Sequence, residues 1–156
     1  MKVISGGQSG VDRAALDVAL ELGIPCGGWC PRGRLAEDGR IADRYPLAET
    51  PASDYAQRTE WNVRDADATL VLHRGPLRGG TALTVALARR HGRPCLTVDL
   101  AAAADLDAIR AWLSEQRVSV LNVAGPRESL APGIGEQARA LLRGVLPAAA
   151  GSTGHP

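Results

Sequence analysis

The sequence predicts an α/β fold: a parallel sheet of about five strands as the middle of three layers, with helices on both faces. Three observations carry the prediction. Short runs rich in Val, Ile and Leu alternate with longer amphipathic segments, the pattern of strand–helix–strand units. Two of the short runs end in glycine-rich turns that open directly into helices. And 45% of residues are apolar although Phe is absent, so small aliphatic side chains must build the core and let helix and sheet approach closely.

Residues 2–5 read as the first strand. Val11, Ala15, Val18 and Leu22 then mark one face of a helix, and Gly23 ends it, as a glycine just past a helix usually does. Residues 24–29 read as a second strand. A long irregular stretch, about 30–54, is rich in Pro, Gly, Arg and Asp; in a small domain such a loop is usually functional or disordered. A helix over 55–66 leads into the third strand, 68–73. The helix over 81–91 is apolar nearly all round, which predicts deep burial. A fourth strand at 94–99, a helix at 105–117 with Leu106, Ile109 and Leu113 inward, and a fifth strand at 118–123 follow. Ile134, Ala138, Leu141 and Val145 mark the last helix. Residues 1–146 are expected to form one domain, and 147–156 a tail that frays.

In parallel sheets of this kind, ligands lie beyond the carboxyl ends of strands, where the strand order reverses. Placing strands one and three side by side brings their two glycine turns together. It gives the expected sheet order 2-1-3-4-5.

The bulk numbers exclude several partner classes. Net charge is +1, so charge gives no reason to expect nucleic acid or a membrane surface. No apolar window is long enough to span a bilayer. The N-terminus lacks a signal-peptide layout, and three cysteines do not make a disulfide framework. A reducing, cytoplasmic setting is expected.

The first turn is Ser5-Gly6-Gly7-Gln8-Ser9-Gly10. Bare N–H groups and the helix dipole favour an anion there. It approaches the dinucleotide fingerprint, but Ser5 stands at the first glycine position and no acidic residue closes strand two. The nucleotide-hydrolase phosphate loop is excluded, because no Gly-Lys-Ser/Thr follows. The second turn has Arg74 and Arg78 beside Gly79-Gly80-Thr81. Together the turns predict a two-dipole anion pocket; the alternative is that the glycines only permit tight turns.

Other residues keep two readings. Asp12 suits any first helical turn, whereas Arg13 does not, and so points to a carboxylate partner or a ligand. Arg58, Asn62 and Asp65 share a helical face, as ligand contacts or as solvated surface. Asn122 ends the fifth strand and Arg127 lies just beyond it; both are candidate ligand contacts. His73 stands at the end of strand three, near the site; His91 suits a helix C-terminus, and His155 falls in the tail. Cys26 and Cys30 lack the second pair that a zinc ribbon needs, and Cys30 remains a candidate thiol contact. Glu37 and Asp38 are either acid/base groups, cation ligands or solvated loop charges.

Several stretches together resemble a known family. They are Ser5–Asp17, Gly27–Gly39 (with Trp29-Cys30-Pro31-Arg32-Gly33), Tyr45-Pro46-Leu47, Arg58-Thr59-Glu60, Asn62-Val63, Gly79-Gly80-Thr81 and Leu121–Ser129. The sequence is similar to the molybdenum carrier family, whose better-studied relatives are molybdenum-cofactor carrier proteins. The similarity runs from residue 3 to about residue 135. It implies a Rossmann-like fold related to the "lonely guy" phosphoribohydrolases and the lysine-decarboxylase-like group. It implies homo-oligomers, dimer or tetramer. It also implies binding of the molybdenum cofactor (molybdopterin) or molybdate, with a molybdoenzyme as acceptor. The hydrolase relatives carry Gly-Gly-x-Gly-Thr-x-x-Glu with a catalytic glutamate; here Thr84 follows Gly79-Gly80-Thr81 at that place, and a threonine cannot act as the carboxylate base.

The reading that results is a carrier for an anionic ligand, with no catalytic residue assigned and no metal ligand identified. The expected ligand contacts are Ser5, Gly6, Gly7, Gln8, Ser9, Gly10, Arg13, Arg78, Gly79, Gly80, Thr81, Asn122 and Arg127, with Cys30, Glu37, Asp38 and Arg58 as additional candidates. The alternative is a nucleotide- or nucleoside-phosphate hydrolase, or a nucleotide sensor, using the same pocket, with Glu37 or Glu128 supplying the missing carboxylate.

Overall fold

The computed structural model describes residues 1–147. The expected tail, including His155, lies outside the described residues apart from Pro147. In chain order the elements are β1 (Lys2–Ile4), α1 (Val11–Leu22), β2 (Cys26–Gly27), β3 (Trp29–Cys30), β4 (Leu35–Ala36), β5 (Gly39–Arg40), β6 (Ala48–Glu49), α2 (Tyr55–Asp65), β7 (Ala68–His73), α3 (Gly79–Arg90), β8 (Cys95–Asp99), α4 (Leu106–Glu115), β9 (Val120–Ala124) and α5 (Ile134–Val145). No helix among the described residues is long and apolar enough to cross a membrane.

The central sheet is parallel, in the order β2-β1-β9-β7-β8. The α/β class is as expected, but the order is not. The last strand, β9, is inserted between the first and the third. The physical reason lies in burial. Leu121, Asn122 and Val123 of β9 are all buried, whereas β8 is at best half-buried throughout. A strand covered on both faces suits the middle of a sheet, and a partly wet one suits its edge. Counting β9 and α5 first, the order becomes 3-2-1-4-5, the core of the doubly wound arrangement.

Helices α1, α4 and α5 cover one face and α2 and α3 the other. Alternation along the strands sends Val3, Leu70, Leu72, Leu121 and Val123 into the α1/α5 side. Each such aliphatic side chain stabilises the fold by about 1.5–3 kcal/mol. Asn122 and Thr69 face the opposite side, where Asn122 Nδ2 lies 3.3 Å from Thr69 Oγ1.

Two further expectations change. The second strand is not continuous: Gly28, at φ 124°, breaks it between β2 and β3. A Cβ there would run into the backbone of Ser5. After the break, β3 leaves the central sheet and pairs with β6. Nor is α3 buried all round. Thr81, Thr84, Leu87 and Ala88 are buried, while Ala82, Leu83 and Val85 are half-buried and Ala86 is exposed. Small side chains make the helix look apolar in sequence without requiring a partner on every side.

The long loop is ordered by its own groups. Arg34, 8% exposed, donates to the carbonyls of Ile41 (3.1 Å), Ala42 (2.7 Å), Tyr45 (2.9 Å) and Leu47 (3.2 Å). Beneath it, Leu16, Cys30, Ala36, Ile41 and Tyr45 form a second apolar cluster.

Candidate functional site

β1, β9 and β7 end at one edge of the sheet, and each runs into a turn. The three turns and the start of α2 enclose a cavity of about 410 Å³, within the usual range for small-molecule sites. Because β9 lies between β1 and β7, the 124–131 turn stands between the two glycine turns rather than outside them.

Of the expected residues, the structure brings Gly6, Gln8 and Asn122 to the wall, with Arg58 and Arg127. The whole of the second turn, Arg78, Gly79, Gly80 and Thr81, is there too. Gly79 has φ 49°, and added side chains at Gly79 and Gly80 would meet nothing within 4 Å. Gly80 carries no positive φ. The chain itself therefore does not need a glycine at Gly80. Thr84 also faces the cavity, its Oγ1 donating to Gly80 O at 2.9 Å.

Ser5, Gly7, Ser9, Gly10 and Arg13 do not reach the wall; they hold the first turn in place. Ser5 Oγ donates to Val123 O at 2.6 Å. Arg13 donates to Gly7 O (3.0 and 3.1 Å) and grips Asp38 with two bonds at 2.9 and 3.1 Å. The same bonds hold the Asp38 carboxyl below its ordinary range. The first helix N-terminus is covered by protein, since Val11 N–H points to Pro126 O at 3.4 Å. A Cβ on Gly10 would stand 2.5 Å from that same oxygen. The neighbouring turn thus meets the helix N-terminus at Val11, while Gly6 and Gln8 of the first turn stay on the cavity wall.

Glu37 is a latch. Its carboxylate accepts from the hydroxyls of Ser9 and Ser129 and from Ser129 N–H (3.1 Å), and it lies 3.4 Å from Arg127 Nε. Burial pushes its pKa up, but the bonds from Ser129 and Ser9 outweigh this and hold it below the ordinary value. Gln8 completes the latch, its Oε1 accepting from Glu37 N–H at 2.8 Å. Glu128 accepts from Gly133 and Gly135 N–H at the start of α5. Neither glutamate lines the cavity. Cys30 is packed among apolar side chains, where burial pushes its thiol up; it contacts no ligand space. No group of three His, Cys, Asp or Glu suited to a metal occurs among the described residues.

Of the α2 stripe, Arg58 and Asn62 are buried, while Asp65 is exposed. Asn62 clamps the backbone of Trp29, accepting from its N–H at 2.8 Å and donating to its carbonyl at 3.0 Å. Asp65 accepts from Trp29 Nε1 at 2.8 Å. Arg58 Nη1 donates to Gly6 O at 2.9 Å.

Asp12 is the residue the sequence reading undervalued. It lines the cavity, is 6% exposed and lies 3.6 Å from Arg58. Burial raises its pKa to about 6, against the pull of Arg58 and the N–H groups of Gln8 and Gly125. Its position in a first helical turn had an ordinary explanation, which masked it. Tyr55, Thr59, His73 and Arg74 also line the cavity. Arg74 donates to the carbonyls of Ala131 and Pro132, while its Nε–H is buried without a hydrogen-bond acceptor; that of Arg127 is ion-paired with Glu37.

The circularly permutated YpsA SLOG family matches residues 3–146 of the chain. The chain is also similar to a solved structure, the "Putative molybdenum carrier protein" of Syntrophus aciditrophicus SB. Identity is 48%, 94% of each chain is covered, and the TM-score is 0.90. No curated protein matches the chain.

Proposed function

Because the chain belongs to the circularly permutated YpsA SLOG family, we propose that its cavity holds a small phosphorylated or oxyanionic ligand and hands it on, as a molybdenum-cofactor or molybdate carrier would. Gly80 carries the reading. It is a glycine in a helix, with space for a side chain and no strained φ, at the cavity wall beside Arg78. It is the second residue of α3, where glycine still loses more backbone freedom on folding than alanine would. Close approach of an anion to the α3 N-terminus explains its presence. The under-satisfied Arg74 supports the same reading, since a buried donor without an acceptor costs about 1–3 kcal/mol.

The wall offers donors to oxygens and no thiol or metal cluster. An oxo-metal or phosphate would be met through N–H groups and arginines, with no protein ligand to the metal. The carrier acts in the cytoplasm as a homo-oligomer and passes its cargo to a molybdoenzyme. The competing reading is a nucleotide- or nucleoside-phosphate hydrolase or sensor in the same pocket. Asp12, with a pKa near the working range of a general acid or base, is the observation that favours it.

One purification separates the two. The protein is isolated from cells making molybdenum cofactor and examined by native mass spectrometry with metal analysis. A melting screen covers molybdate, tungstate, pterin cofactor and nucleoside monophosphates. The carrier reading expects bound pterin or oxyanion and a raised Tm without turnover. Cleavage of a nucleotide, with pterin and oxyanions inert, would overturn it.

A further inference from the structure

Asp12 is the one carboxylate on the cavity wall among the described residues. A carboxylate accepts hydrogen bonds and donates none. Pressed against a purely anionic ligand it would repel it, and the N–H groups of Gln8 and Gly125 that pull on it cannot occupy all the acceptor sites of its two oxygens. Its nearest cation does not satisfy it. Arg58 Nη1 stands 3.6 Å from Asp12 Oδ2, an ion pair beyond hydrogen-bond reach, while it donates to Gly6 O at 2.9 Å. Arg58 Nε points to Thr59 Oγ1 at 3.3 Å, so neither bond uses Nη2. The Tyr55 ring backs the guanidinium, 5.0 Å from its centroid. Gly6 fixes both partners, because a Cβ there would strike Arg58 and stand 2.9 Å from Asp12 Oδ2.

The cavity wall therefore presents the Asp12 carboxylate beside an N–H edge, and it also carries the α3 turn with Arg78. The matching ligand carries two adjacent N–H donors and then a carbonyl acceptor at one end, and an anionic group at the other. Building on the anion-binding reading above, we propose that Asp12 and Arg58 are specificity-determining residues that read the 2-amino-4-oxopyrimidine edge of a phosphorylated heterocycle. Pterins and guanine share that edge. Asp12 takes the amino and ring N–H groups, Arg58 donates to the carbonyl oxygen, and the phosphate lies on Gly79-Gly80-Thr81.

The test measures equilibrium binding of the full chain to two matched pairs. One pair is pterin-6-ylmethyl phosphate and its 2-oxo counterpart, lumazine-6-ylmethyl phosphate; the other is guanosine and xanthosine 5′-monophosphates. Inorganic phosphate and molybdate report on the anionic end alone. The 2-amino member of one pair should bind at least about tenfold more tightly, and whichever pair does so identifies pterin or guanine as the source. Asp12→Asn, which offers one acceptor and one donor, should abolish or reverse that ratio without weakening inorganic phosphate. Arg58→Lys keeps the charge but loses the forked edge, and should also shrink the ratio. Equal affinity within both pairs, or a ratio unchanged in Asp12→Asn and Arg58→Lys, overturns the assignment while leaving the anion site standing. If phosphate, molybdate and all four probes fail to bind, the anion reading falls with it.

Discussion

The Ser5 hydroxyl donates to the Val123 carbonyl at 2.6 Å, joining residues 118 positions apart. The bond pins the end of β1 to β9 beneath the cavity rather than inside it. Replacing Ser5 with Ala leaves a buried carbonyl short of a partner. We expect a loss of about 1–2 kcal/mol in urea unfolding, with phosphate affinity unchanged. A stable Ser5→Ala protein that no longer binds phosphate would return Ser5 to the ligand.

Gly10 and Gly80 separate structure from recognition. Gly10 sits at φ 80°, and a Cβ there would press on Pro126 O at 2.5 Å. Gly10→Ala should therefore cost about 3 kcal/mol or more, from strain and backbone collision together. Gly80→Ala meets open space and should gain roughly 0.5–1 kcal/mol in thermal unfolding. The same change should weaken phosphate binding about tenfold by holding the anion off the helix N-terminus. Unchanged phosphate affinity in Gly80→Ala would remove the α3 turn from the site.

Asp12 makes stability depend on pH in an unusual direction for a carboxylate. Its folded pKa, about 6, lies above its ordinary value of 3.8, so the native state holds the proton more tightly than the unfolded chain. The contribution is full below pH about 4 and is lost as pH rises through about 6. Arg58 from α2, Arg13 from its own helix and the N–H groups of Gln8 and Gly125 oppose the shift without cancelling it. Asp12→Asn should remove this slope. At pH 7 it should exceed the wild type by on the order of 2–3 kcal/mol, read from urea midpoints at pH 4, 5, 6 and 7.

Glu37 behaves in the opposite sense. Its folded pKa is lowered, so its contribution is present above its ordinary carboxyl range and fades as pH falls below it. Glu37→Ala releases Ser9, Ser129 and Arg127 at once. Hydrogen exchange should speed up across residues 30–54 and 124–131, and stability should drop by about 2 kcal/mol. An undisturbed exchange pattern would show that the latch is not what orders these segments.

The helices and strands were legible because their apolar spacing is regular and Gly23 ends α1 cleanly. The second glycine turn was legible too, as glycines beside arginines at a helix start. The sheet order was not, because local pattern is silent about which strands pair. The burial of Leu121, Asn122 and Val123 against the wetter Cys95–Asp99 becomes visible only once helices cover the faces. The surroundings of the first turn were hidden for a similar reason, because the segment that meets its helix N-terminus, Pro126–Ser129, arrives more than a hundred residues later. Asp12 and Arg58 lie far apart in sequence, and only the fold makes them a pair.

The place of β9 also governs how the molecule is assembled during synthesis. The two halves of the sheet, β1 with β2 and β7 with β8, are translated before the strand that joins them. Until β9 emerges, each half presents an unpaired inner edge, the kind of surface that invites wrong pairing. Between the synthesis of Asp99 and that of Val120 the nascent chain therefore holds an open sheet, and a ribosome stalled before Val120 would carry two separate edges and no binding cavity.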